Sequence, residues 1–466
     1  MLTCYLNRQS KTPIYVQLYQ FIRGEIEKGT LLTEEKLPSK RKLATHLEIS
    51  QITVDAAYQQ LIAEGYLRSV PKSGFYVEPY EQGYNFKIKS SKEDLIVDLE
   101  KEKYQFDFRT NVVDTDLFPN TTWAKLAREV LSENNYEMVN VTNPQGLYEL
   151  RKQIAKYLYN FRGINANPEQ IIIGGGSDSL ISLIILLLGR NSVYALENPG
   201  YNKVYQTLQN NDVPTIPISL DECGLKVSEL DKTKANIVHV TPSHQFPTGV
   251  IMPIRRRLEL LSWANKCSNR YILEDDYDSE FRYNGQPIPA LQGLDKANKV
   301  IYLNTFTKSI APSLRISYLV LPINLLNKYK KNPYFYTCSV PNFDQYILSK
   351  FMQGGYFERH INRMRNVYKE KLKLLITQIQ NTSLEDKIKI YAHDAGLHFM
   401  MNINNGMTEQ KLVNSAKKQG VRIYGLSEYY HVKNYNIPLS TVVIGYSSLS
   451  HEEIIEAINR LEKAWN

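Results

Sequence analysis

The spacing of apolar positions changes along the chain and divides it into three regions. In PIYVQLYQFIRGEIEKG, the residues Ile14, Leu18, Phe21, Ile22 and Ile26 fall at the spacing of one helical face. Pro13 suits the first turn of that helix and Gly29 its stop. A second helix is predicted after Ser39, an N-cap following Pro38, with Leu43, Ala44 and Leu47 inward. Glu48 and Ile49 make a short turn, Ser50 caps a third helix, and Val54, Ala57, Tyr58, Leu61 and Ile62 form its buried face up to Gly65. Tyr66–Val70 and Phe75–Val77 read as short strands around Pro-Lys-Ser-Gly. Residues 80–104 are polar and charged and read as a linker. Over residues 105–466 apolar β-rich runs alternate with helical segments, the pattern of a largely parallel sheet covered by helices, an α/β domain.

Composition narrows the class only a little. Of 466 residues 43% are hydrophobic and 22% charged, which is ordinary globular chemistry. The net charge of +8 permits an anionic partner without demanding one. In residues 1–80, ten Lys and Arg stand against eight Asp and Glu, 10 − 8 = +2, so a nucleic-acid role has to rest on local pattern. The cysteines Cys4, Cys223, Cys267 and Cys338 show neither metal-ligand nor redox spacing and read as reduced cytosolic thiols. No metal site is expected. The start MLTCYLNRQSK lacks a basic stretch followed by an apolar run. The most apolar stretch, Leu180–Leu188, is about half a membrane span. A cytoplasmic protein without a membrane partner is expected.

Helix, helix, tight turn, helix and a two-stranded wing is the winged helix-turn-helix layout, whose third helix enters the major groove by its N-terminal end. Ser50, Gln51 and Thr53 stand at that end, where hydroxyls and N–H groups hold phosphates and Gln51 can reach a base edge. Lys40, Arg41 and Lys42 open the preceding helix, and Lys72 and Ser73 lie at the wing tip. The run LPSKRKLATHLEISQITVDAAYQQLIAEGYL resembles the GntR-type winged-helix signature over residues 12–79. That resemblance implies a double-stranded DNA partner contacted by Arg41, Ser50, Gln51, Thr53, Lys72, Ser73 and Gly74. Some relatives carry basic residues where Gln51 and Asp55 stand, and the acid at Asp55 argues against a direct phosphate contact there.

The larger region carries a different set of residues. Lys308 sits in a Ser/Thr-rich turn after the apolar run Val300–Leu303, with Arg315 seven residues later. Asp275 ends the apolar run Tyr271–Leu273, and Tyr277 points to the same side of an extended chain. Gly174–Gly176 join a strand to a helix opened by Ser177 and Asp178, a backbone cradle for an anion to which Asp178 adds an unexpected negative charge. Tyr201 follows a Pro-Gly pair, Lys203 lies just beyond, and His244 and Gln245 precede a Pro-Thr-Gly turn. A lysine for an imine, an acid for a pyridine nitrogen, donors for a phosphate and an aromatic surface are what pyridoxal 5′-phosphate (PLP) requires. Each element alone also fits a polar loop, and the acidic run EDDYDSE alone fits a solvated or metal-binding loop.

In order and spacing these segments resemble fold-type I aminotransferases. TPSHQFPTGVIMPIRRRLELLSWA, EDDYDSEFRYNGQPIPALQ, TFTKSIAPSLRISYLVLP and GGYFERHINRMRNVY resemble the MocR/GabR subfamily of GntR regulators. The resemblance implies two domains, a winged helix-turn-helix over 1–79 and a fold-type I PLP-dependent aminotransferase-like domain over 105–466. It implies PLP on Lys308, with Asp275 on the ring nitrogen, Tyr277 and His244 near the phenolic oxygen, Arg315, Ser177 and Asp178 at the phosphate, and Tyr201 against the ring. It also implies a homodimeric transcriptional regulator that senses PLP or an amino compound such as GABA through aldimine chemistry at Lys308. Where such enzymes bind a substrate carboxylate with a late-strand arginine, this chain has TVVIGYSSL, with Val443 near the place. Lys203 and Arg422 are the substitutes expected to meet an effector. The missing arginine favours sensing over turnover; the alternatives are an active aminotransferase with an accessory DNA-binding domain, and a scaffold for dimerisation.

Overall fold

The computed structural model describes residues 2–79, 104–133, 136–283, 285, 288–331, 337–392, 394–432 and 437–466. Of the expected linker, residues 80–103 lie outside the described residues. The chain forms two compact units, Met1–Glu100 and Lys101–Asn466.

The first unit runs α1 (Ile14–Glu27), β1 (Lys36–Leu37), α2 (Lys40–Leu47), α3 (Gln51–Ala63), β2 (Leu67–Val70) and β3 (Gly74–Val77). Its helices start where the caps predict. Ser39 Oγ accepts from the Lys42 N–H at 3.3 Å, and Ser50 Oγ from the Thr53 N–H at 3.1 Å. Between them the chain reverses through Glu48 in the left-handed region, φ 51°. Leu18, Ile22, Ile26, Leu43, Val54, Tyr58 and Leu61 close the core, while Phe21 and Leu47 are only partly buried. The Tyr58 hydroxyl donates to the Pro38 carbonyl at 3.0 Å, which ties α3 to the entry of α2. The wing has three strands rather than two, because β1 pairs with β3 as Lys36↔Tyr76 and Leu37↔Phe75.

The second unit begins β4 (Phe106–Asp107), α4 (Asn120–Ser132), α5 (Tyr148–Arg162), β5 (Ile171–Gly174), α6 (Ser177–Leu188), β6 (Tyr194–Asn198) and α7 (Asn202–Asn210). It continues β7 (Thr215–Asp221), β8 (Gly224–Leu225), α8 (Val227–Leu230), β9 (Ile237–Val240), α9 (Ile254–Asn265), β10 (Tyr271–Asp276), β11 (Val300–Thr305) and β12 (Ser317–Val320). Then follow α10 (Ile323–Lys331), α11 (Asn342–Gln353), α12 (Tyr356–Gln380), β13 (Ile388–Tyr391) and β14 (His398–Ile403). The chain ends with α13 (Glu409–Lys418), β15 (Val421–Arg422), β16 (Tyr424–Gly425), β17 (Thr441–Gly445) and α14 (His451–Trp465). An eight-stranded sheet has the order β5-β12-β11-β10-β9-β6-β7-β8. β11, β10, β9, β6 and β7 are mutually parallel, and β12 runs antiparallel to both its neighbours.

Its central strands are buried on both faces, which explains their continuous apolar runs. Leu273, Ile301 and Leu303 face a core shared with Ile181 and Ile184 of α6, whereas Ile272, Val238 and Val240 face one shared with Leu260 and Trp263 of α9. This period of two fixes which side each polar residue at a strand end takes. A smaller four-stranded sheet, β13-β14-β17-β16, packs Phe399, Met401, Val442 and Ile444 against Ile454, Ile458 and Leu461 of α14. Among the described residues no helix is long and apolar enough to cross a membrane.

Candidate functional site

On the first unit the N-terminal end of α3 is open. Arg41, Ser50, Gln51, Lys72 and Ser73 are exposed, and Thr53, partly buried, is hydrogen-bonded through its hydroxyl to Ser50 Oγ at 2.8 Å. Lys72 takes φ 61° at the wing tip, and Gly74 takes φ 134° beside the Lys36 side chain. Lys40 is not free to reach a phosphate, because it forms an ion pair with Asp55 and lies 5.1 Å from the centre of the Phe75 ring. The acid that set Asp55 apart in the sequence is thus held by a neighbouring lysine. Ile52 is a residue the sequence pattern did not single out. It stands between Gln51 and Thr53 and is 82% exposed, an apolar side chain of the kind that contacts a thymine methyl. Its absence from the buried helical face was the available signal.

On the second unit a cleft opens at the C-terminal ends of β9, β10 and β11, where ligands of parallel sheets bind. Lys308, Asp275, Tyr277, Ser177, Tyr201, Lys203 and Arg315 all line it, with Asn111, Thr241, Phe246, Thr305 and Thr307. β11 and β12 are antiparallel neighbours, so the connection between them holds Lys308 and Arg315 in one loop. Thr305 Oγ1 accepts from the Thr307 N–H at 3.1 Å and meets Thr307 Oγ1 at 2.7 Å, which fixes the turn into the lysine. Lys308 is 5% exposed. Burial pulls its amine down to about 8, against the carboxylates of Asp278, Asp275 and Glu280, which favour the charged form. Among the described residues no carboxylate forms an ion pair with it, and its Nζ lies 4.0 Å from the centre of the Tyr277 ring.

The glycine turn supplies the opposite end of the cleft. α6 opens without a side-chain cap, and Gly176 sits at φ 101°. A Cβ there would collide with the Arg315 guanidinium, so the cradle is shaped by the missing side chain. Arg315, itself left-handed at φ 52°, donates from Nη2 to both Asp178 oxygens at 3.0 and 3.1 Å. Lys203 Nζ lies 3.0 Å from Asp178 Oδ2. Burial pushes the Asp178 carboxyl up, but Lys203, its own backbone and Arg315 outweigh that and leave it below the usual range. Asp178 therefore occupies two cations at the place where an anion would bind.

The acidic run on and after β10 is divided residue by residue. Glu274 accepts from the N–H groups of Leu291 and Gln292 at 2.7 and 2.8 Å. Asp276, on the same face, accepts from Arg162 Nε at 2.7 Å and the Tyr302 hydroxyl at 2.6 Å. Asp275, on the other face, meets His239 Nε2 at 3.3 Å. Behind the cleft, His244 Nδ1 lies 3.0 Å from Asp278 Oδ2 and 3.0 Å from the Tyr277 hydroxyl. His398 Nε2, on β14, lies 3.1 Å from the Pro247 carbonyl; a carbonyl only accepts, so Nε2 carries the proton. Burial pulls His398 down to about 3. His244, Asp278 and His398 form a buried trio close enough to meet one ion, though one polar atom of each is already held in a hydrogen bond.

Of the predicted residues, His244 and Asp178 touch this constellation through neighbours rather than lining the cleft. Arg422 is not brought to the cleft: it pairs with Asp107 across β15 and β4, and its guanidinium lies 5.3 and 5.0 Å from the Tyr104 and Tyr424 rings. Val443 is buried with Phe246, Leu426 and Tyr429. His239, Asn111 and the Thr305–Thr307 pair were not singled out from sequence; His239 was legible as the one polar residue inside the buried run IVHV. A larger groove lined by Tyr157, Arg162, Glu280, Glu358 and Arg365 offers no lysine among the described residues, and its Arg162 is held by Asp276. The main cleft fits PLP chemically: a buried amine, a carboxylate held by a histidine, a phenol, and an uncapped helix with a glycine cradle and an arginine.

Residues 14–77 match the model of bacterial regulatory proteins of the gntR family, and residues 103–461 that of aminotransferase class I and II. The chain is 38% identical over its whole length to an uncharacterized HTH-type transcriptional regulator, YdeL, of Bacillus subtilis, covering 99% of that protein. It is 29% identical to the probable rhizopine catabolism regulatory protein MocR of Rhizobium meliloti, over 99% of this chain and 95% of the relative. It is also 29% identical to the HTH-type pyridoxine biosynthesis transcriptional regulator PdxR of Corynebacterium glutamicum, over 91% and 90%. A solved kynurenine aminotransferase of Pyrococcus horikoshii shares the fold with a TM-score of 0.68 at 24% identity, over 78% of this chain and 91% of that one.

Proposed function

Because the chain belongs to the MocR/GabR subfamily of GntR-type regulators, a gntR-family unit joined to a class I and II aminotransferase domain, we propose that it senses PLP or an amino compound such as GABA through PLP held on Lys308. In this reading it works in the cytoplasm as a homodimer on double-stranded DNA and controls genes of vitamin B6 or amino-compound metabolism. The observation that carries it is a buried amine with no carboxylate ion pair among the described residues, set between Asp275 and the Gly176–Arg315 cradle, in a chain that also carries an exposed recognition helix.

PLP supplies an aldehyde carbon and an electron-withdrawing ring to an amine brought against it. Lys308 provides that amine, and its burial keeps a useful share of it neutral and nucleophilic. Asp275, oriented by His239, would hold a proton at the ring nitrogen. Tyr277 would offer its hydroxyl to the ring's phenolic oxygen, and Tyr201 and Phe246, which line the cleft, would help exclude water from it. Arg315, Ser177 and the uncapped turn of α6 would hold the phosphate. Lys203, which lines the cleft, would provide a cation for an effector carboxylate, a point charge without the arginine fork. The late strand offers buried Val443 in place of a cation, which supports sensing over transamination. On the first unit, Arg41, Ser50, Gln51, Thr53 and the wing residues Lys72 to Gly74 contact the duplex.

The test joins two measurements on the purified full chain. Borohydride reduction with PLP, followed by mass spectrometry, is expected to leave the cofactor's mass on the peptide containing Lys308. A promoter fragment is then titrated with and without PLP, GABA and other amines, and operator affinity is expected to change with at least one. No adduct on Lys308 defeats the cofactor assignment; equal affinity under every condition defeats the sensing role. Steady conversion of an amino donor and a keto acid restores the enzyme reading.

A further inference from the structure

The hydrogen bonds behind Tyr277 cannot all be made at once, and resolving them assigns a role to a residue outside the cleft. His244 Nδ1 has two partners at 3.0 Å, Asp278 Oδ2 and the Tyr277 hydroxyl. One nitrogen either donates or accepts. Asp278 is 2% exposed. Burial pushes its carboxyl up, but the charge and hydrogen bond of His244, with Lys308 and His398 beyond, outweigh it and leave the group below the usual range. It is therefore a carboxylate, which only accepts. The proton must sit on His244 Nδ1 and point to Asp278. A protonated Nδ1 cannot take the Tyr277 proton, so the tyrosine's O–H is left to donate elsewhere, and the open direction is the cleft. The tautomer is reinforced on the other side, since His244 Nε2 is buried and makes no hydrogen bond among the described residues. Gly396, at φ 75°, packs directly on the His244 ring and Asp278, and Gly249 on Nε2, so the imidazole cannot turn over.

We propose that Asp278 is a positioning residue which, by fixing the proton of His244 on Nδ1, keeps the Tyr277 hydroxyl donating into the cleft toward the cofactor's phenolic oxygen. Replacing the carboxylate by an amide, Asp278→Asn, removes the constraint. The amide no longer demands a donor from His244 Nδ1, the imidazole proton can move to Nε2, and the Nδ1 lone pair, for which the Tyr277 hydroxyl competes with the amide N–H, then draws the tyrosine's proton away from the cleft. The proposal rests on the cofactor reading above only for the identity of what Tyr277 faces; the state of His244 is a property of the cofactor-free chain.

Two readouts keep the two readings apart. In full-length protein labelled with ¹⁵N-histidine, without PLP, the ring-nitrogen shifts of His244 are assigned by their loss in His244→Asn. They are expected to report the Nδ1–H tautomer in wild type and a shift toward Nε2–H in Asp278→Asn. An Nε2–H tautomer in wild type, or no change in the variant, overturns the proposal whether or not PLP binds. With PLP attached, the pH midpoint of its absorption band is measured in wild type, Asp278→Asn, Tyr277→Phe and the double variant. Asp278→Asn also removes a nearby charge, and the Tyr277→Phe background isolates that direct effect. The shift caused by Asp278→Asn is expected to differ between the two backgrounds by about half a unit or more. Equal shifts in both backgrounds overturn the coupling. Should Asp278→Asn fail to fold, His244→Asn, which keeps a donor near the place of Nδ1, is expected to retain the wild-type midpoint while His244→Ala does not; identical midpoints for those two are equally fatal.

Discussion

Covalent capture of PLP by the cofactor-free protein should follow a titration near pH 8, because burial of Lys308 brings its amine down to about 8 from an ordinary value of 10.5. Only the neutral amine has a lone pair for the aldehyde carbon. At pH 7 roughly one such amine in ten is neutral, against about one in 3,000 for an exposed lysine, a ratio of roughly 300. The reactive fraction should then rise about tenfold per pH unit below 8 and level off above it. The assay is stopped-flow absorbance after mixing the cofactor-free protein with excess PLP between pH 6.5 and 10, with the slow reaction of Lys308→Ala subtracted. The expected profile bends near pH 8. A rate that keeps climbing to pH 10 would show that the amine is solvated and that its burial beside the Tyr277 ring does not govern its reactivity. A bend that survives in Lys308→Ala would place the titrating group elsewhere.

Three further outcomes are expected. Asp178→Asn frees Arg315 and Lys203 from a competing carboxylate; since exposed ion pairs are worth about 0–1 kcal/mol each, PLP affinity should rise by a few-fold to about tenfold, measured by equilibrium titration. Lys308→Met should stabilise the cofactor-free protein at pH 7 by up to about 3 kcal/mol, the cost of charging a buried amine displaced by 2.5 units, 10.5 − 8. The sign follows from linkage: between pH 8 and 10.5 the unfolded chain binds more protons, so wild-type stability rises through that window and the advantage of Met fades, as urea melts at pH 7 and pH 10 would reveal. Ser50→Ala removes the cap on the Thr53 N–H and should cost the first unit about 1 kcal/mol, together with weaker binding to every DNA sequence alike, read by anisotropy on matched and scrambled duplexes.

Local chemistry made much of this legible beforehand. Ser39 and Ser50 cap the helices they precede, and Lys308 and Arg315 sit in one connection between neighbouring strands, as a strand followed by a Ser/Thr-rich turn suggested. What escaped depends on contacts far apart in sequence. β1 is two residues long, with no periodicity of its own, and exists because Phe75 and Tyr76 pair with it. The run EDDYDSE looked like one acidic patch, but the period of two and distant partners split it: Arg162 takes Asp276, His239 takes Asp275, and His244 takes Asp278. Arg422 was expected to meet an effector on resemblance alone; it stands on β15 beside β4, its guanidinium set against the Tyr104 and Tyr424 rings, and is not among the residues lining the cleft.

The division of labour along β10 also limits how this protein can change. Glu274 and Asp276 serve one face of the strand and Asp275 the other, each with a partner built for it. Substituting one acid disturbs one partner. Adding or deleting a single residue within Tyr271–Asp276 exchanges the faces instead, delivering an acid to Arg162 and a different one to the cleft while Ile272 and Leu273 trade cores. Variation in length is therefore confined to the loops that flank the strand, and homologous chains should drift in sequence here far more readily than they gain or lose a position.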